Sequence, residues 1–155
     1  MSPQPRPITV LVADDDPDDR LLVREAWQEN RLPHDLRFVS DGEALLDYLN
    51  RHGTHAAPGA APRPDLVLLD LNMPRKDGRE ALREIKADPE LRAIPIVVLT
   101  TSEADEDVFQ VYDLGGNSFV VKPASFERLV EVVRLLNAYW FELVERVNPE
   151  AGSRS

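Results

Sequence analysis

Short apolar runs alternate along the chain with segments whose apolar residues recur at helical spacing. The short runs are typical of parallel strands that are buried on both faces. Five such strands are predicted, at residues 8–13, 36–39, 66–69, 95–99 and 118–121. Five helices are predicted to follow them, near residues 17–30, 44–49, 79–87, 103–114 and 125–147. This alternation predicts an α/β fold, a doubly wound five-stranded parallel sheet with helices on both faces.

The residues outside this pattern set the expected limits of the domain. Residues 1–7 contain three prolines and predict a flexible N-terminus, and residues 148–155 predict a flexible tail. The domain itself is expected to span residues 8–147. Its last helix is predicted to be unusually long and more apolar than one core-facing stripe requires, with Leu135 and Tyr139 outside that stripe. An additional apolar patch of this kind commonly marks a surface for a partner.

The composition narrows the functional classes. With 155 residues, of which 43% are hydrophobic and 30% charged, the chain matches an ordinary single globular domain. No apolar run approaches the roughly 20 residues that a membrane-spanning helix needs, so no membrane partner is expected. The absence of cysteine excludes disulfides and thiolate sites and fits a cytoplasmic location. A formal net charge of −10 would repel phosphate backbones, so no nucleic-acid partner is expected.

Charged and hydroxyl side chains follow four of the predicted strands. Asp14 and Asp15 follow the first strand, Asp70 the third, Thr100 the fourth and Lys122 the fifth. Because right-handed crossovers bring the carboxyl ends of parallel strands to one edge, these side chains are expected to meet there. Three carboxylates together require a hard cation, and Mg²⁺ suits oxygen ligands while leaving room for a phosphoryl oxygen. Asp70 is the nucleophile that this arrangement favours.

The acids that continue the first cluster have a structural explanation. Asp16 suits the N-cap of a helix, and Pro17 suits its first position. Asp18 and Asp19 complement the positive end of the helix dipole. This explanation is sufficient for their presence.

Over roughly residues 8–147 the chain resembles a response-regulator receiver domain. The resemblance rests on a complete motif set, namely Asp14, Asp15, Asp70, Thr100 and Lys122. It implies the flavodoxin-like strand order 2-1-3-4-5 and a phosphorelay in which a sensor histidine kinase donates a phosphoryl group to Asp70. It implies no enzymatic activity beyond Mg²⁺-dependent self-phosphorylation and autodephosphorylation.

The resemblance also implies how the metal would be bound. Asp15, Asp70 and the backbone carbonyl of Asn72 would hold Mg²⁺ directly. Asp14 would contact the metal mostly through water. The cofactor expected from the resemblance is therefore Mg²⁺, the same ion that the three carboxylates favour on chemical grounds.

Four further residues receive roles from the resemblance. Thr100 and Lys122 would bind the phosphoryl oxygens. Thr100 would also act with Phe119 as a switch, although Phe119 stands where the family usually has tyrosine and lacks the phenol hydroxyl. Pro123 follows the lysine, and the bond between them is expected to be cis, as is usual in the family.

Within the family, the chain is most similar to the single-domain regulators that are paired with bacterial phytochromes. The supporting features are the segments DLNMPRKDGRE and VYDLGGNSF, the long loop before the third strand and the extended last helix with Tyr139-Trp140-Phe141. A bacteriophytochrome-type kinase is the partner that this similarity implies. The signal is expected to leave through protein contacts, and we predict a homodimer through the last helix and its neighbouring strand.

Two other classes of protein share part of this pattern. Mg²⁺-dependent phosphatases with a strand-end Asp nucleophile resemble D-x-D, but Asn72 stands where their second acid would serve as general acid. A pseudo-receiver would be an interaction module that never carries phosphate, and the complete motif set argues against it. Turnover of p-nitrophenyl phosphate would indicate the first alternative, and failure of acetyl phosphate to label the protein would indicate the second.

Overall fold

The computed structural model describes most of the chain. The described residues are 8–32, 34–53, 56–57, 59–71, 73, 78–100, 118–123 and 125–147. The predicted N-terminal segment 1–7, the predicted tail 148–155 and the helix predicted near residues 103–114 lie outside them.

Five parallel strands form one sheet. Their bounds agree with the predicted ones to within a residue: β1 (Thr9–Ala13), β2 (Asp35–Val39), β3 (Leu66–Leu69), β4 (Ile96–Thr100) and β5 (Ser118–Val121). The strands pair in the order β2-β1-β3-β4-β5, and every pair is parallel. The predicted fold class and the implied strand order are confirmed.

Four helices lie within the described residues. They are α1 (Pro17–Glu29), α2 (Gly42–Asn50), α3 (Gly78–Ala87) and α4 (Phe126–Val147). Asp16 caps α1 as predicted, because its Oδ1 accepts a hydrogen bond of 2.9 Å from the N–H of Asp18. The last helix is as long as the sequence predicts. None of these helices has both the length and the apolar character that a bilayer span requires.

The three central strands of the sheet, β1, β3 and β4, are buried on both of their faces. On one face Leu11, Val67 and Ile96 join a single core cluster with residues of the two helices α2 and α3, namely Leu45, Tyr48, Leu82 and Ile85. Residues that point to the other face, such as Val10 and Val97, are also completely buried. Burial on both faces explains why these three strands are apolar runs rather than alternating patterns.

The residues Leu22–Leu32, together with the described residues from Pro123 to Val147, form a compact unit of their own. Within this unit, the side chain of Asn30 joins two helices. Its Nδ2 donates to the carbonyl of Ala26 in α1 and to the carbonyl of Val130 in α4, both at 2.9 Å. One amide side chain therefore links the end of α1 to the first turns of α4.

The burial of α1 differs from what its apolar residues suggest. The sequence predicts four core residues in this helix, namely Leu21, Leu22, Ala26 and Trp27. Ala26 and Trp27 are buried as predicted, and Val23 is buried with them. Leu21 and Leu22, however, are 53% and 41% exposed. The three buried residues are spaced i, i+3 and i+4 and share one stripe of the helix, which leaves the two leucines on its flank.

The cis bond predicted before Pro123 is wrong for this structure. Both Lys122 and Pro123 are described, and no peptide bond among the described residues is cis. Because the trans form of an X–Pro bond is favoured by about 0.5–1 kcal/mol, it needs no compensating contact.

Candidate functional site

Asp14 and Asp70 leave the carboxyl edge of the sheet side by side. The N–H of Asp14 donates to the carbonyl of Val39, and the N–H of Asp70 donates to the carbonyl of Ala13, both at 3.0 Å. These two bonds extend the pairing of β1 with β2 and with β3 by one residue. Both acids are buried, with only 2% and 7% of their surface exposed. The sheet itself therefore fixes where the two carboxylates stand.

Asp15 completes a cluster of three carboxylates with these two acids. Asp14, Asp15 and Asp70 each offer one oxygen, and the three oxygens lie within 4.8 Å of one another. Asp15 is exposed, so the cluster is open to solvent on its side. Oxygen-only donors at this spacing fit a hard divalent cation, which would relieve the repulsion between the carboxylates.

Lys122 follows β5 and reaches into the same cluster. Its Nζ donates to Oδ2 of Asp14 at 3.0 Å and to Oδ2 of Asp70 at 3.1 Å. A third bond, of 2.7 Å, goes to Oδ2 of Asp19 in the first turn of α1. An ammonium group has three N–H donors, and here each has a carboxylate acceptor. The structure thus places the lysine beside the two acids, as the sequence predicts, and adds Asp19.

Burial and charge act in opposite directions on these groups. Burial acts to lower the pKa of Lys122, but the hydrogen bonds to Asp19 and Asp14 and the charges of Asp14 and Asp70 outweigh it and raise that pKa. Burial raises the pKa of Asp14, and the N–H of Asp16 and the ammonium of Lys122 offset only part of that rise. The ammonium of Lys122 is therefore charged throughout the ordinary pH range, whereas the ionised form of Asp14 is stabilised by its hydrogen bonds to Asp16 and Lys122.

The first turn of α1 holds Asp14 in place from two directions. Oδ1 of Asp14 accepts a hydrogen bond of 3.0 Å from the N–H of Asp16. Nη1 of Arg20 donates to the carbonyl of Asp14 at 2.7 Å. The side chain and the backbone of this acid are both fixed, so the cluster has little freedom to rearrange around it.

Comparison with known proteins identifies the family to which this site belongs. The sequence model of the response regulator receiver domain matches residues 10–134. The chain belongs to this family. The resemblance inferred from the motif set is confirmed, and the cluster of Asp14, Asp15 and Asp70 is consistent with the phosphorylation site of a receiver domain.

Two relatives, one of them matched both by sequence and by structure, show a branch of receivers to which the chain is similar. Response regulator Rcp1 of Synechocystis is 39% identical over 138 residues, which cover 89% of this chain and 92% of that protein. The crystal structure of the phosphorylated cyanobacterial phytochrome response regulator RcpA superposes with a TM-score of 0.81 at 40% identity, covering 88% of this chain and 95% of the other. The Mn²⁺-bound form of Rcp1 gives a TM-score of 0.78 at 39% identity, covering 88% and 96%.

Three predicted receiver positions are described in part or not at all. Thr100 is the last residue of β4 and pairs with Val121, so its backbone reaches the carboxyl edge of the sheet. The side chains of Thr100 and Phe119 lie outside the described residues, and so does Asn72. Their roles in phosphoryl binding, switching and metal binding stay predictions.

Asp19 is a partner of Lys122 that the sequence does not reveal. Asp18 and Asp19 both fit the acidic first turn of a helix, and no local rule separates them. In the structure Asp18 is exposed, whereas Asp19 accepts a hydrogen bond from Lys122. The distinction depends on where β5 ends relative to α1, which is a tertiary fact.

Gly78 is the second residue whose importance appears only in the structure. The sequence predicts a turn into a helix at this point. The N–H of Gly78 donates to the carbonyl of Leu71 at 2.9 Å, which brings its Cα against the backbone that follows Asp70. A Cβ at this position would press on the carbonyl oxygen of Asp70 and lie 2.7 Å from Cα of Leu71. A glycine is therefore required where α3 begins next to the backbone of Asp70.

Proposed function

We propose that this receiver domain accepts a phosphoryl group on Asp70 from a phosphohistidine of a sensor histidine kinase, in a reaction that requires Mg²⁺. The observation that carries the proposal is the position of Asp70, whose buried carboxylate lies beside Asp14, Asp15 and the ammonium of Lys122. This arrangement holds a nucleophilic oxygen and two means of neutralising a phosphoryl group within one site. Phosphoryl transfer depends mainly on such positioning and charge neutralisation.

The residues of the site divide the work of transfer. An oxygen of Asp70 forms the new bond to phosphorus while the N–P bond of the donor breaks and its electron pair returns to the imidazole nitrogen. The ammonium of Lys122, now 3.1 Å from Asp70, is near enough to bind an oxygen of the arriving group. We propose that the hydroxyl of Thr100 binds another. The buried Asp14 stays in place because α1 holds it.

We further propose Mg²⁺ as the resident ion, bound by Asp14, Asp15, Asp70 and the backbone carbonyl of Asn72. Three carboxylate oxygens within 4.8 Å of one another support this, as does the Mn²⁺-bound form of the relative Rcp1. When bound, the ion supplies positive charge to the oxygens of the transferring group. The carboxylates keep it at the strand ends, next to the acceptor.

Asp15→Asn is expected to remove most of the stabilisation that Mg²⁺ gives to the folded protein. A ligand present at about 100 times its Kd stabilises the native state by about 2.7 kcal/mol. Asp15 is exposed, so its replacement should leave the metal-free protein nearly unchanged while deleting one ligand. Thermal unfolding with and without millimolar MgCl₂ measures both effects, and Asp18→Asn provides a control with the same change in charge. An equal Mg²⁺ effect in the wild type and in Asp15→Asn would contradict the ligand assignment.

Asp70→Asn is expected to abolish labelling of the protein by acetyl phosphate. The amide oxygen of asparagine is a poor nucleophile, and the variant keeps the size of the side chain, so chemistry is lost while the fold stays. Intact-mass spectrometry should show one added phosphoryl group in the wild type, only when Mg²⁺ is present. A wild type that never accepts label would favour the pseudo-receiver alternative. Label that persists in Asp70→Asn would place the acceptor elsewhere.

For the upstream partner, we propose a phytochrome-type histidine kinase in the cytoplasm. The support is the likeness to Rcp1 and to the phytochrome response regulator RcpA, which extends over nearly the whole of both proteins. Transfer of label from a phosphorylated bacteriophytochrome kinase, compared with transfer from an unrelated histidine kinase, tests the pairing. Equal rates from both kinases would remove the support for a specific phytochrome partner.

We also propose that phosphorylation changes the surface formed by the last strand and the last helix of the domain. Phe119 and Thr100 would change position together, and α4 with β5 would form the surface of a homodimer. The exposed Leu135, with 52% of its surface accessible on α4, supports an apolar contact there. Light scattering of the labelled and unlabelled samples tests the dimer. A single rotamer of Phe119 in the free and beryllofluoride-bound forms would rule out the switch.

A further inference from the structure

Asp19 has a contact that neither its place in the helix nor the metal cluster explains. Its Oδ2 lies 2.7 Å from Nζ of Lys122, closer than either Asp14 or Asp70. The cluster of three mutually close carboxylates consists of Asp14, Asp15 and Asp70 and does not contain Asp19. Of the three acceptors of the lysine, Asp19 is thus the one that lies outside the metal set.

The three carboxylates that accept hydrogen bonds from Lys122 differ in what they bind once the metal and the phosphoryl group are present. An oxygen of Asp70 becomes bonded to phosphorus, and Asp14 faces the metal. Both acids then have less negative charge to offer Lys122. Asp19 keeps its charge, because it binds neither the metal nor the phosphoryl group in this arrangement.

We propose that Asp19 is a positioning residue for Lys122, an inference that rests on the proposed function. In the free protein it is one of three carboxylates on the ammonium. During transfer it is the acceptor that stays, and it holds the ammonium at the place where the phosphoryl oxygens arrive. The first turn of α1 is thereby connected to the phosphorylation site through one hydrogen bond. Because the side chain of Asp19 is 34% exposed, a longer side chain can be accommodated at this position.

Asp19→Asn tests this inference because it keeps the shape of the side chain and removes its charge. Loss of one charge-assisted hydrogen bond that is partly exposed to solvent should weaken beryllofluoride binding in Mg²⁺ about fivefold. The affinity for Mg²⁺ alone should change no more than in Asp18→Asn. Asp18 is the matched control, since it is exposed, adjacent and carries the same charge. Isothermal titration calorimetry measures both affinities, first with MgCl₂ alone and then with beryllofluoride added.

Two further variants separate positioning from a general effect on structure. Asp19→Glu restores the charge and should recover most of the beryllofluoride affinity. In a Lys122→Met background, Asp19→Asn should slow labelling by acetyl phosphate less than about twofold, compared with about fivefold when the lysine is present, because the coupling needs both partners.

The outcomes divide cleanly between this inference and the proposed function. A wild type that is labelled in the presence of Mg²⁺, together with Asp19→Asn that behaves like Asp18→Asn, would overturn the inference and leave the function standing. The same slowing of labelling with and without Lys122 would also overturn it. A wild type that neither accepts label nor binds beryllofluoride would overturn both. A loss of beryllofluoride affinity that is specific to Asp19→Asn and restored by Asp19→Glu would support the inference.

Discussion

Gly78→Ala is expected to destabilise the protein by about 1–3 kcal/mol, the usual effect of forcing an extra methyl group into a closely packed site. The added Cβ would meet the carbonyl oxygen of Asp70 and Cα of Leu71. Both are backbone atoms, so no side chain can rotate to make room. Either the strand end that carries Asp70 must move, or the first turn of α3 must move away from it. Labelling of Asp70 by acetyl phosphate should become slower as well.

Urea unfolding and labelling rates measured on the same preparations test this prediction. Gly53→Ala is the matched control, because a Cβ there meets nothing within 4 Å although the backbone has a φ of +61°. That variant should lose stability through backbone strain alone and keep the labelling rate of the wild type. If Gly78→Ala matched the wild type in both measurements, the contact between Gly78 and the acceptor strand would have no consequence.

The framework of the site is readable from the sequence because burial imposes it. Strands covered on both faces must be apolar throughout, so β1, β3 and β4 stand out as runs, and each run ends where the chain becomes polar. Parallel strands joined by right-handed crossovers present these ends at one edge. The sequence alone therefore predicts that Asp14, Asp70 and Lys122 lie together, and the structure brings them within hydrogen-bond distance.

The contacts between elements that are distant in sequence could not be predicted in the same way. Asp18 and Asp19 are equivalent to every local rule, and only the position of Lys122 distinguishes them. Gly78 looks like any glycine at the start of a helix until its N–H is seen to bond to Leu71. The buried face of α1 could not be predicted for the same reason, because tertiary packing and not the number of leucines determines which side of the helix is buried. Leu22 is exposed for that reason.

Lys122→Met is expected to lower the free energy of unfolding by about 3 kcal/mol near neutral pH without divalent cations, as is typical when one partner of a buried ion pair is removed. Methionine keeps most of the length and apolar volume of the lysine side chain. The carboxylates of Asp14 and Asp70, with 3% and 9% of their side-chain surface exposed, would lose their cation. MgCl₂ should restore part of the loss, because the metal supplies the missing positive charge. Chemical denaturation with and without MgCl₂ measures the deficit and its recovery.

The pH dependence of this deficit follows from the pKa of Asp14. Burial already raises that pKa above its ordinary value of 3.8, and Lys122 opposes the rise, so the pKa should climb further in the variant. Between the ordinary pKa of Asp14 in the unfolded state and its raised pKa in the folded state, the folded state binds more protons than the unfolded state. The free energy of unfolding therefore increases as the pH falls through this interval. The deficit of Lys122→Met should therefore shrink as the pH falls from neutrality toward 3.8, the ordinary pKa of an aspartate. In the wild type the raised pKa of Lys122 keeps its contribution fully present below 10.5, so the cation is not lost over that range.

Lys86→Met separates the loss of the receiver lysine from the loss of any partly buried lysine. Nζ of Lys86 donates to the carbonyls of Arg92 and Ile94, at 3.0 Å and 3.5 Å, and burial lowers its pKa. Its removal strips no cation from the acid cluster, so the stability of this variant should respond to MgCl₂ as the wild type does. A deficit in Lys122→Met that neither Mg²⁺ nor lower pH reduces would mean that the lysine stabilises the fold by packing, and that Asp14 and Asp70 do not need its charge.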